Sequence, residues 1–318
     1  MALSTRGKGR MSRIVHVNKA YSPHIGGVET VCRQYAELST ETFNSVDVLT
    51  VGSRFGFSVS TEARDGINIR RCDYQFTFAG QRFSIPLIIL LWRYYLQRVL
   101  IHLHDPFPLA NIPLLFTKQP RLIVTYHSDI VRQKFLKPAV DFLRFATLKK
   151  ASLITVTSEQ LKRNSDVLCN LPKSCHVVLP LFLDDTLKYS RHLHSSGFSG
   201  ELHSVVEGKA FLLMLGRMNY YKGLDVVLAA LRHNQVRGLK NVVRVVIAGK
   251  NNDKVAKKIS DQLRSFEDVV RIDRSMSETE KIHDVPTQQL LEFPIIITSC
   301  SLNMIHNDRN KRIVCDFR

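Results

Sequence analysis

The chain has 318 residues, of which 44% are hydrophobic and 23% charged, and its net charge at pH 7 is +17. The length allows two domains of ordinary size, and the composition is that of an ordinary soluble globular protein. The longest apolar run, Ile85–Trp92, is far short of the roughly 20 residues that cross a bilayer, which excludes it as a spanning helix. We expect it to form a buried or membrane-contacting helix face.

The charge and the cysteines limit the partners and the compartment. The positive charge predicts an anionic partner, which would be nucleic acid, a phosphorylated substrate or an acidic membrane face; a basic surface without a single ligand is the alternative. The six cysteines form no CxxC pair and have no zinc-ligand spacing. We expect them to be mostly reduced, and the basic residues 1–13 lack the apolar core of a secretory signal. A cytoplasmic protein is therefore predicted.

The first part of the chain alternates predicted strands with helical segments. An amphipathic helix is predicted from Val28 to Leu38, and strands are predicted at 12–18, 46–51, 67–70, 99–104, 121–127, 152–158 and 176–180. This alternation predicts a parallel sheet covered on both faces, with ligands at the carboxyl ends of its strands. Polar residues follow those strands at Asn18, Gly26, Gly27, His104, Asp105, His127, Ser128, Asp129 and Ser158.

The pattern restarts after a polar linker. Strands are predicted at 211–215, 242–248 and 269–272, helices at 224–231 and 253–266, and a capping box at Ser277–Glu280 opens one more helix. We therefore predict two similar α/β domains in series. Their predicted bounds are 11–185 for the N-terminal domain, 186–208 for the linker, 209–283 for a partial C-terminal domain and 284–318 for an atypical tail.

A pair of cations lies between a predicted strand and a predicted helix in the second domain. Gly216-Arg217 follows the strand, and Lys222-Gly223 precedes the helix. A helix N-terminus favours an anion, and the two cations add charge-assisted hydrogen bonds. The segment therefore predicts a diphosphate site and a nucleotide-activated substrate, whereas the alternative is a solvated charge pair.

The candidate residues of the first domain allow alternatives. Gly26-Gly27 would let a ligand approach the backbone, or would form an ordinary tight turn. His127 would contact a reacting sugar, or would be a hydrogen-bonded histidine at the domain rim. His102 and His104 point the same way from one strand, but no third ligand is evident, so we expect no metal site there. The basic stretches lack interleaved aromatic residues and any nucleic-acid-binding motif, so nucleic acid is disfavoured.

Five motifs together resemble one known family. They occur in chain order at Ser22–Glu29, Ile101–Pro106, His127–Asp129, Thr157-Ser158 and Leu215–Gly223. The set resembles the large family 4 of retaining glycosyltransferases, which includes bacterial enzymes of lipopolysaccharide and exopolysaccharide synthesis. The resemblance runs from about Ile14 to His283.

The resemblance implies a fold and a reaction. It implies the GT-B fold, in which two Rossmann-like domains face each other across a cleft, with an incomplete C-terminal domain here. Arg217 and Lys222 would hold the diphosphate of a nucleotide-sugar donor, so no metal or other cofactor is expected. The Gly26-Gly27 loop would close over the donor, and His127 would act at the transferred sugar as the catalytic residue.

The resemblance also suggests partners for the first domain. His104 and Asp129 would lie on the side of a glycan or lipid-linked acceptor, and the sugar would be transferred with retention of configuration. The basic first domain would hold the protein on the inner face of the cytoplasmic membrane, where lipid-linked acceptors reside.

The chain departs from the family near its end. After Lys281 the family continues with a helix carrying two glutamates, one near the donor sugar and one on the ribose, whereas here Glu292 is the only glutamate. We expect a shifted reading frame or aberrant end from about residue 284, or else a divergent but genuine terminus. Two other functions therefore stay open, a catalytically impaired remnant that binds nucleotide sugar or acceptor, and a basic membrane-surface or nucleic-acid binder.

Overall fold

The chain divides into two units, Met1–Leu181 and Phe182–Arg318. A computed structural model describes residues 11–24, 26–130, 136–172, 176–181, 210–215, 218, 223–233, 243–249, 254–266, 269–272 and 297–298. The predicted linker 186–208 and the predicted capping box Ser277–Glu280 lie outside the described residues.

The first unit alternates strands and helices as the sequence predicts. Its strands are β1 (Met11–Asn18), β2 (Phe43–Phe55), β3 (Val59–Arg64), β4 (Ile67–Tyr74), β5 (Phe76–Phe78), β6 (Gln81–Phe83), β7 (Leu100–Asp105), β8 (Leu122–Tyr126), β9 (Leu153–Val156) and β10 (His176–Val178). Its helices are α1 (Gly27–Thr42), α2 (Ile85–Leu96), α3 (Pro108–Leu115), α4 (Lys137–Leu148), α5 (Glu159–Asn164) and α6 (Asp166–Cys169).

Eight of these strands form one sheet in the order β10-β9-β8-β7-β1-β2-β4-β3. All neighbouring pairs are parallel except β3 with β4, which pair antiparallel at one edge. The α/β class with a parallel sheet is thereby confirmed. The exposed edge strand β3 and the small β5-β6 hairpin were not predicted, because neither carries a buried alternating face.

The chain order of the strands reverses beside β1. From β1 the chain builds one half of the sheet through β2 and β4, and it then returns to the other side of β1 with β7 and continues to β10. The carboxyl ends of β1 and β7 therefore lie at a switch point, where open α/β sheets bind their ligands. The polar ends of these two strands, Asn18 and Asp105, meet that edge.

Burial of the sheet accounts for its apolar sequence. Strand β7 is buried along almost its whole length, and α2 and α3 cover it with Leu87, Leu91 and Leu114, each at most 1% exposed. A smaller cluster packs α1 against β1, β2 and β4. Strands covered on both faces need continuous apolar runs, which is the pattern that the sequence shows.

One carboxylate, Asp47, is fully buried in the sheet of the first unit. It accepts hydrogen bonds from Arg13, from the Asn68 amide at 3.2 Å and from the Tyr94 hydroxyl at 2.8 Å. Burial, reinforced by the negative charge of Asp47, raises the pKa of Tyr94, so the phenol keeps its proton and remains a donor. These bonds tie α2 and β1 to the centre of the sheet.

Replacing Tyr94 with phenylalanine is expected to lower the free energy of unfolding of the first unit by about 2 kcal/mol, because a buried carboxylate loses one donor. The urea unfolding midpoint of the full chain measures the effect. Tyr95→Phe is the matched control, because the Tyr95 hydroxyl bonds the backbone of Lys118 at an exposed position where water can replace it. Equal midpoints for both variants would contradict the assignment.

The second unit repeats the βα alternation. Its described elements are β11 (Ala210–Leu215), α7 (Leu224–Arg232), β12 (Val243–Ala248), α8 (Lys254–Leu263), β13 (Val269–Ile272) and β14 (Ile297–Thr298). The strands form a parallel sheet in the order β13-β12-β11-β14, so the chain order reverses beside β11. Met214, Leu224, Leu228 and Ile247 belong to its core.

Two features bear on membrane contact and on the tail. None of the helices within the described ranges is long and apolar enough to cross a membrane. Ile297–Thr298 is the part of the predicted atypical tail, 284–318, that falls within the described residues, and it pairs with β11 as a short strand.

Candidate functional site

The carboxyl edge of the first sheet brings together the polar residues of two neighbouring strands. His104 and Asp105 end β7, and His127 directly follows the neighbouring β8. The backbone N–H of His127 donates to the carbonyl of Asp105 at 2.9 Å, which fixes the start of the loop after β8. The switch point of the sheet therefore carries the two histidines that the sequence singles out.

His104 and His127 contact each other directly. The His104 Nδ1 and His127 Nε2 atoms lie 3.2 Å apart, and the two rings stack with their centroids separated by 5.4 Å. His104 is fully buried, whereas His127 is partly exposed. His127 is therefore the member of the pair that can face a ligand, with His104 behind it.

The histidines at this edge are neutral at physiological pH. Burial lowers the pKa of His127 to about 4, and the positive charge of Lys19 adds to the shift. Burial lowers the pKa of His102 to about 3, with a smaller contribution from His127. The pKa of His104 is also lowered, by burial and then by its histidine neighbours. These side chains can therefore donate or accept hydrogen bonds but carry no charge.

The expectation that no third ligand joins His102 and His104 is wrong. His16 lies on β1 directly opposite His102 of β7 in the parallel register, and its ring points to the same side. One ring nitrogen from each of His16, His102 and His104 lies within 4.8 Å of the other two. His16 was missed because its proximity to His102 and His104 depends on the order of the strands in the sheet, which cannot be read from the sequence.

A buried arginine that the sequence did not single out holds the loop that carries His127. Arg144 of α4 is fully buried, and its Nε donates to the Asp105 carboxylate at 2.8 Å. Its Nη2 also donates to the carbonyl of Ser128 at 2.8 Å, and its guanidinium lies over the Tyr126 ring at 4.7 Å. Burial disfavours this charge, but the attraction of Asp105 outweighs it and the net effect raises the pKa of Arg144. Arg144 therefore contacts the residues on both sides of His127, Tyr126 and Ser128.

Asp129, predicted on the acceptor side, has one oxygen engaged within the protein. Its Oδ1 accepts hydrogen bonds from the Tyr126 hydroxyl and, at 2.8 Å, from the Ser165 hydroxyl. Ser165 in turn caps α6 by accepting from the N–H of Leu168. Asp129 thus links the loop after β8 to the end of the unit, and its acceptor role remains a prediction.

Gly26 and Gly27 lie at the start of α1, at the carboxyl end of β1. Gly26 is the N-cap residue with an extended backbone and no side-chain cap, and its carbonyl accepts from the N–H of Thr30 at 2.9 Å. Gly27 is the first residue of the helix. The two glycines place no side chain of their own at this helix N-terminus, but Gly26 is buried, so the close approach of a ligand remains a prediction.

Arg217 and Lys222, the predicted diphosphate pair, lie outside the described residues. The elements on either side of them are described: β11 ends two residues before Arg217, and α7 begins two residues after Lys222. Gly223 is the N-cap of α7 with φ 74°, a left-handed conformation that favours glycine. Met218 within this loop is buried against the core of the unit.

Both halves of the chain match glycosyltransferase families. Residues 25–187 match the family described as Glycosyltransferase Family 4, and residues 201–283 match the family described as Glycosyl transferases group 1. The first match alone covers just over half of the chain. The protein therefore belongs to glycosyltransferase family 4, as the motifs predict.

Two characterised relatives share part of this sequence. The D-rhamnosyltransferase WbpZ of Pseudomonas aeruginosa is 27% identical over 228 residues, which cover 69% of this chain and 56% of that protein. The O-antigen chain mannosyltransferase C of Escherichia coli is 28% identical over 259 residues, which cover 73% of this chain and 66% of that protein. The chain thus spans less than two thirds of the length of either relative.

Solved structures share the fold at low identity. The Escherichia coli trehalose-6-phosphate protein bound with UDP-2-fluoro glucose has a TM-score of 0.63 and 12% identity, over 90% of this chain and 77% of that chain. Sucrose-phosphate synthase from Thermosynechococcus elongatus has a TM-score of 0.60 and 12% identity, over 91% and 81%. At such identities the likeness concerns the fold alone, and it confirms the predicted GT-B class.

Proposed function

We propose that the protein transfers a sugar from a nucleotide-diphosphate donor to a glycan or lipid-linked acceptor during synthesis of a cell-surface polysaccharide. The observation that carries the proposal is the segment between β11 and α7. In the sequence, Arg217 and Lys222 fall between the end of β11 and the start of α7, inside the match to group 1 glycosyl transferases. A helix N-terminus with two nearby cations suits a diphosphate.

In the proposed reaction, one set of residues stabilises the charge on the leaving group and another contacts the sugar and the donor. As the bond between the anomeric carbon and the diphosphate oxygen breaks, negative charge develops on the departing nucleotide, and Arg217 and Lys222 stabilise it. These cations replace a metal at the diphosphate. The acceptor oxygen bonds the anomeric carbon with retention of configuration, and its proton passes to the departing diphosphate. His127 contacts the transferred sugar, and the Gly26-Gly27 loop approaches the donor.

The names of the relatives suggest the configuration of the transferred sugar. One is a D-rhamnosyltransferase and the other a mannosyltransferase. D-rhamnose is the 6-deoxy form of D-mannose, so both names specify a D-manno-configured sugar. We propose a donor of this configuration for the present chain. Asp129 would lie on the acceptor side, whereas the fully buried His104 would act there only through His127.

A panel of labelled donors tests the function. The purified chain is incubated with GDP-mannose, GDP-D-rhamnose, UDP-glucose and UDP-N-acetylglucosamine in the presence of bacterial lipid extract. Incorporation from a GDP-linked D-manno donor is expected, with the anomeric configuration of the product read by NMR. Binding of a donor without incorporation would instead support the impaired remnant. If the chain neither binds nor transfers any of the donors, both the transferase and the remnant hypotheses are refuted.

We also propose a cytoplasmic location with peripheral attachment to the inner face of the membrane. Helices α2 and α3 border an apolar groove of about 370 Å³ that contains Ile89, Trp92 and Phe116, with Arg93 beside them. Ile89 is 54% exposed and Phe116 is 69% exposed. An apolar surface next to arginine, on a chain of net charge +17, suits an anionic phospholipid surface.

The single tryptophan of the chain reports this contact. Vesicles rich in phosphatidylglycerol are expected to shift the Trp92 emission to shorter wavelength, whereas phosphatidylcholine vesicles leave it unchanged. Phe116→Ser is expected to weaken vesicle binding roughly 10-fold or more, because a large apolar side chain no longer inserts. Phe57→Ser is the control, since Phe57 is similarly exposed but lies before the edge strand β3. Equal binding by both variants would rule out this groove as the contact.

A further inference from the structure

Three buried histidines converge at the centre of the first sheet. His16 lies beside His102 on the neighbouring strand, and His104 follows His102 by two residues, on the same face. The ring centroids are 4.9 Å apart for His16 and His102, 4.6 Å for His102 and His104, and 6.0 Å for His16 and His104. At most 5% of each residue is exposed. We call these three residues the histidine triad.

Each ring of the histidine triad is already held through one of its nitrogens. The Nε2 of His16 lies 3.0 Å from the Ser39 hydroxyl, and the Nε2 of His102 lies 2.7 Å from the Thr125 hydroxyl. The Nδ1 of His104 contacts His127. Histidines that bind metals characteristically fix the ring through the nitrogen that does not face the ion. Here that arrangement leaves Nδ1 of His16, Nδ1 of His102 and Nε2 of His104 for a ligand.

Two of the remaining nitrogens lack any partner in the described part of the chain. Nδ1 of His16 and Nε2 of His104 are buried and make no hydrogen bond. A buried polar atom without a partner costs about 1–3 kcal/mol, so a bound cation would relieve a real penalty.

We propose that the histidine triad binds one divalent transition-metal ion of the zinc class, with a water molecule as an additional ligand. Three neutral imidazoles suit Zn²⁺, Co²⁺, Ni²⁺ or Cu²⁺ rather than Mg²⁺ or Ca²⁺, which prefer oxygen. Zinc–nitrogen bonds of about 2.0–2.1 Å place tetrahedral ligands roughly 3.4 Å apart. One ring nitrogen from each of the three histidines lies within 4.8 Å of the other two, so the three rings would have to move closer together to complete the tetrahedral geometry.

The ion would also act on the candidate site through His104. When Nε2 of His104 binds the ion, the ring proton of this neutral histidine resides on Nδ1. That N–H then donates to Nε2 of His127, so His127 is held in one tautomer. The ion therefore has a positioning role, and it is distinct from any ion at the donor diphosphate. The site itself does not depend on the proposed sugar transfer.

Metal titration of the full, untagged chain tests the site. Zn²⁺ binding is followed by calorimetry, and Co²⁺ binding by the visible absorption of tetrahedral cobalt. One equivalent is expected with a micromolar or lower Kd, together with the tetrahedral cobalt bands. His102→Gln is expected to weaken binding at least 100-fold and to abolish the bands. His233→Gln is the control, because His233 is an exposed histidine of the other unit, and its binding should equal that of the unmodified chain.

A variant outside the triad covers the case in which His102→Gln does not fold. Thr125→Val keeps the volume of the side chain but removes the hydroxyl that fixes the His102 ring, and it is expected to weaken Zn²⁺ binding 10- to 100-fold. Circular dichroism verifies that each variant is folded. The proposal is overturned if the unmodified chain binds no stoichiometric Zn²⁺ or Co²⁺, or if a folded His102→Gln or Thr125→Val variant binds Zn²⁺ as tightly as the unmodified chain.

Discussion

Replacing Arg144 with methionine is expected to destabilise the first unit by about 3–5 kcal/mol, because the Asp105 carboxylate is left buried and uncompensated. Asp105 is 1% exposed, and its carboxylate accepts hydrogen bonds from two nitrogens of Arg144, Nε and Nη2. The same variant removes the donor to Ser128 and the cation over Tyr126. Urea unfolding of the full chain, followed by circular dichroism, measures the change.

Two further variants separate the buried pair from helix effects. Lys137→Met removes a cation from the same helix, where Lys137 forms a partly exposed ion pair with Asp141 at 2.6 Å. A loss below 1 kcal/mol is expected for this variant, because water screens the pair. Arg144→Met combined with Asp105→Leu should recover most of the stability, since no unpaired charge remains. If Arg144→Met costs no more than Lys137→Met, the buried pair is not the anchor described here.

Replacing Arg217 with alanine is expected to lower kcat/KM for sugar transfer by roughly 100- to 1000-fold, because the transition state loses a donor aimed at the developing charge. Binding of the free nucleotide diphosphate should weaken as well, since in the proposed role the same charge would also bind the ground-state diphosphate. Transfer from the labelled donor and calorimetry with the nucleotide diphosphate measure the two effects. The second measurement keeps the prediction testable in a chain that binds but does not transfer.

Matched variants distinguish a specific role from loss of positive charge. Arg232→Ala removes an exposed arginine from the end of α7 and should leave both measurements unchanged. Arg217→Lys keeps the charge but loses the planar fork of donors, so an intermediate effect is expected. An Arg217→Ala variant with a kcat/KM close to that of the unmodified chain would favour a solvated charge pair at this position.

The sequence predicted the elements of the fold because their local signals are strong. Strand β7 is a short run that ends in polar residues, β11 is an apolar run followed by a glycine, and Gly26 and Gly223 mark helix starts. The edge strand β3 was missed because all its residues are exposed, so it carries no buried pattern. Its place is determined by pairing with β4, which is a property of the chain's path rather than of its own residues.

The candidate site was only partly predictable for a related reason. His104 and His127 were found because each stands at the polar end of a predicted strand. His16 and Arg144 were missed because each lies inside an element rather than at its end, where a polar residue can be interpreted only once its neighbours are known. His16 gains its neighbours through the register of β1 with β7. Arg144 gains Asp105 only when α4 packs on the sheet, although an arginine between Leu143 and Phe145 is a signal worth noting.

The contact between His104 and His127 has a consequence for how the second of these residues can serve a substrate. If His127 contacts the sugar as proposed, it would use Nδ1, because its Nε2 faces His104, and its lowered pKa would make it an uncharged partner. A neutral histidine distinguishes ligands by the orientation of their hydroxyl groups and not by their charge. Discrimination among epimeric sugars would therefore depend on one directional hydrogen bond, which an added positive charge elsewhere on the protein could not replace.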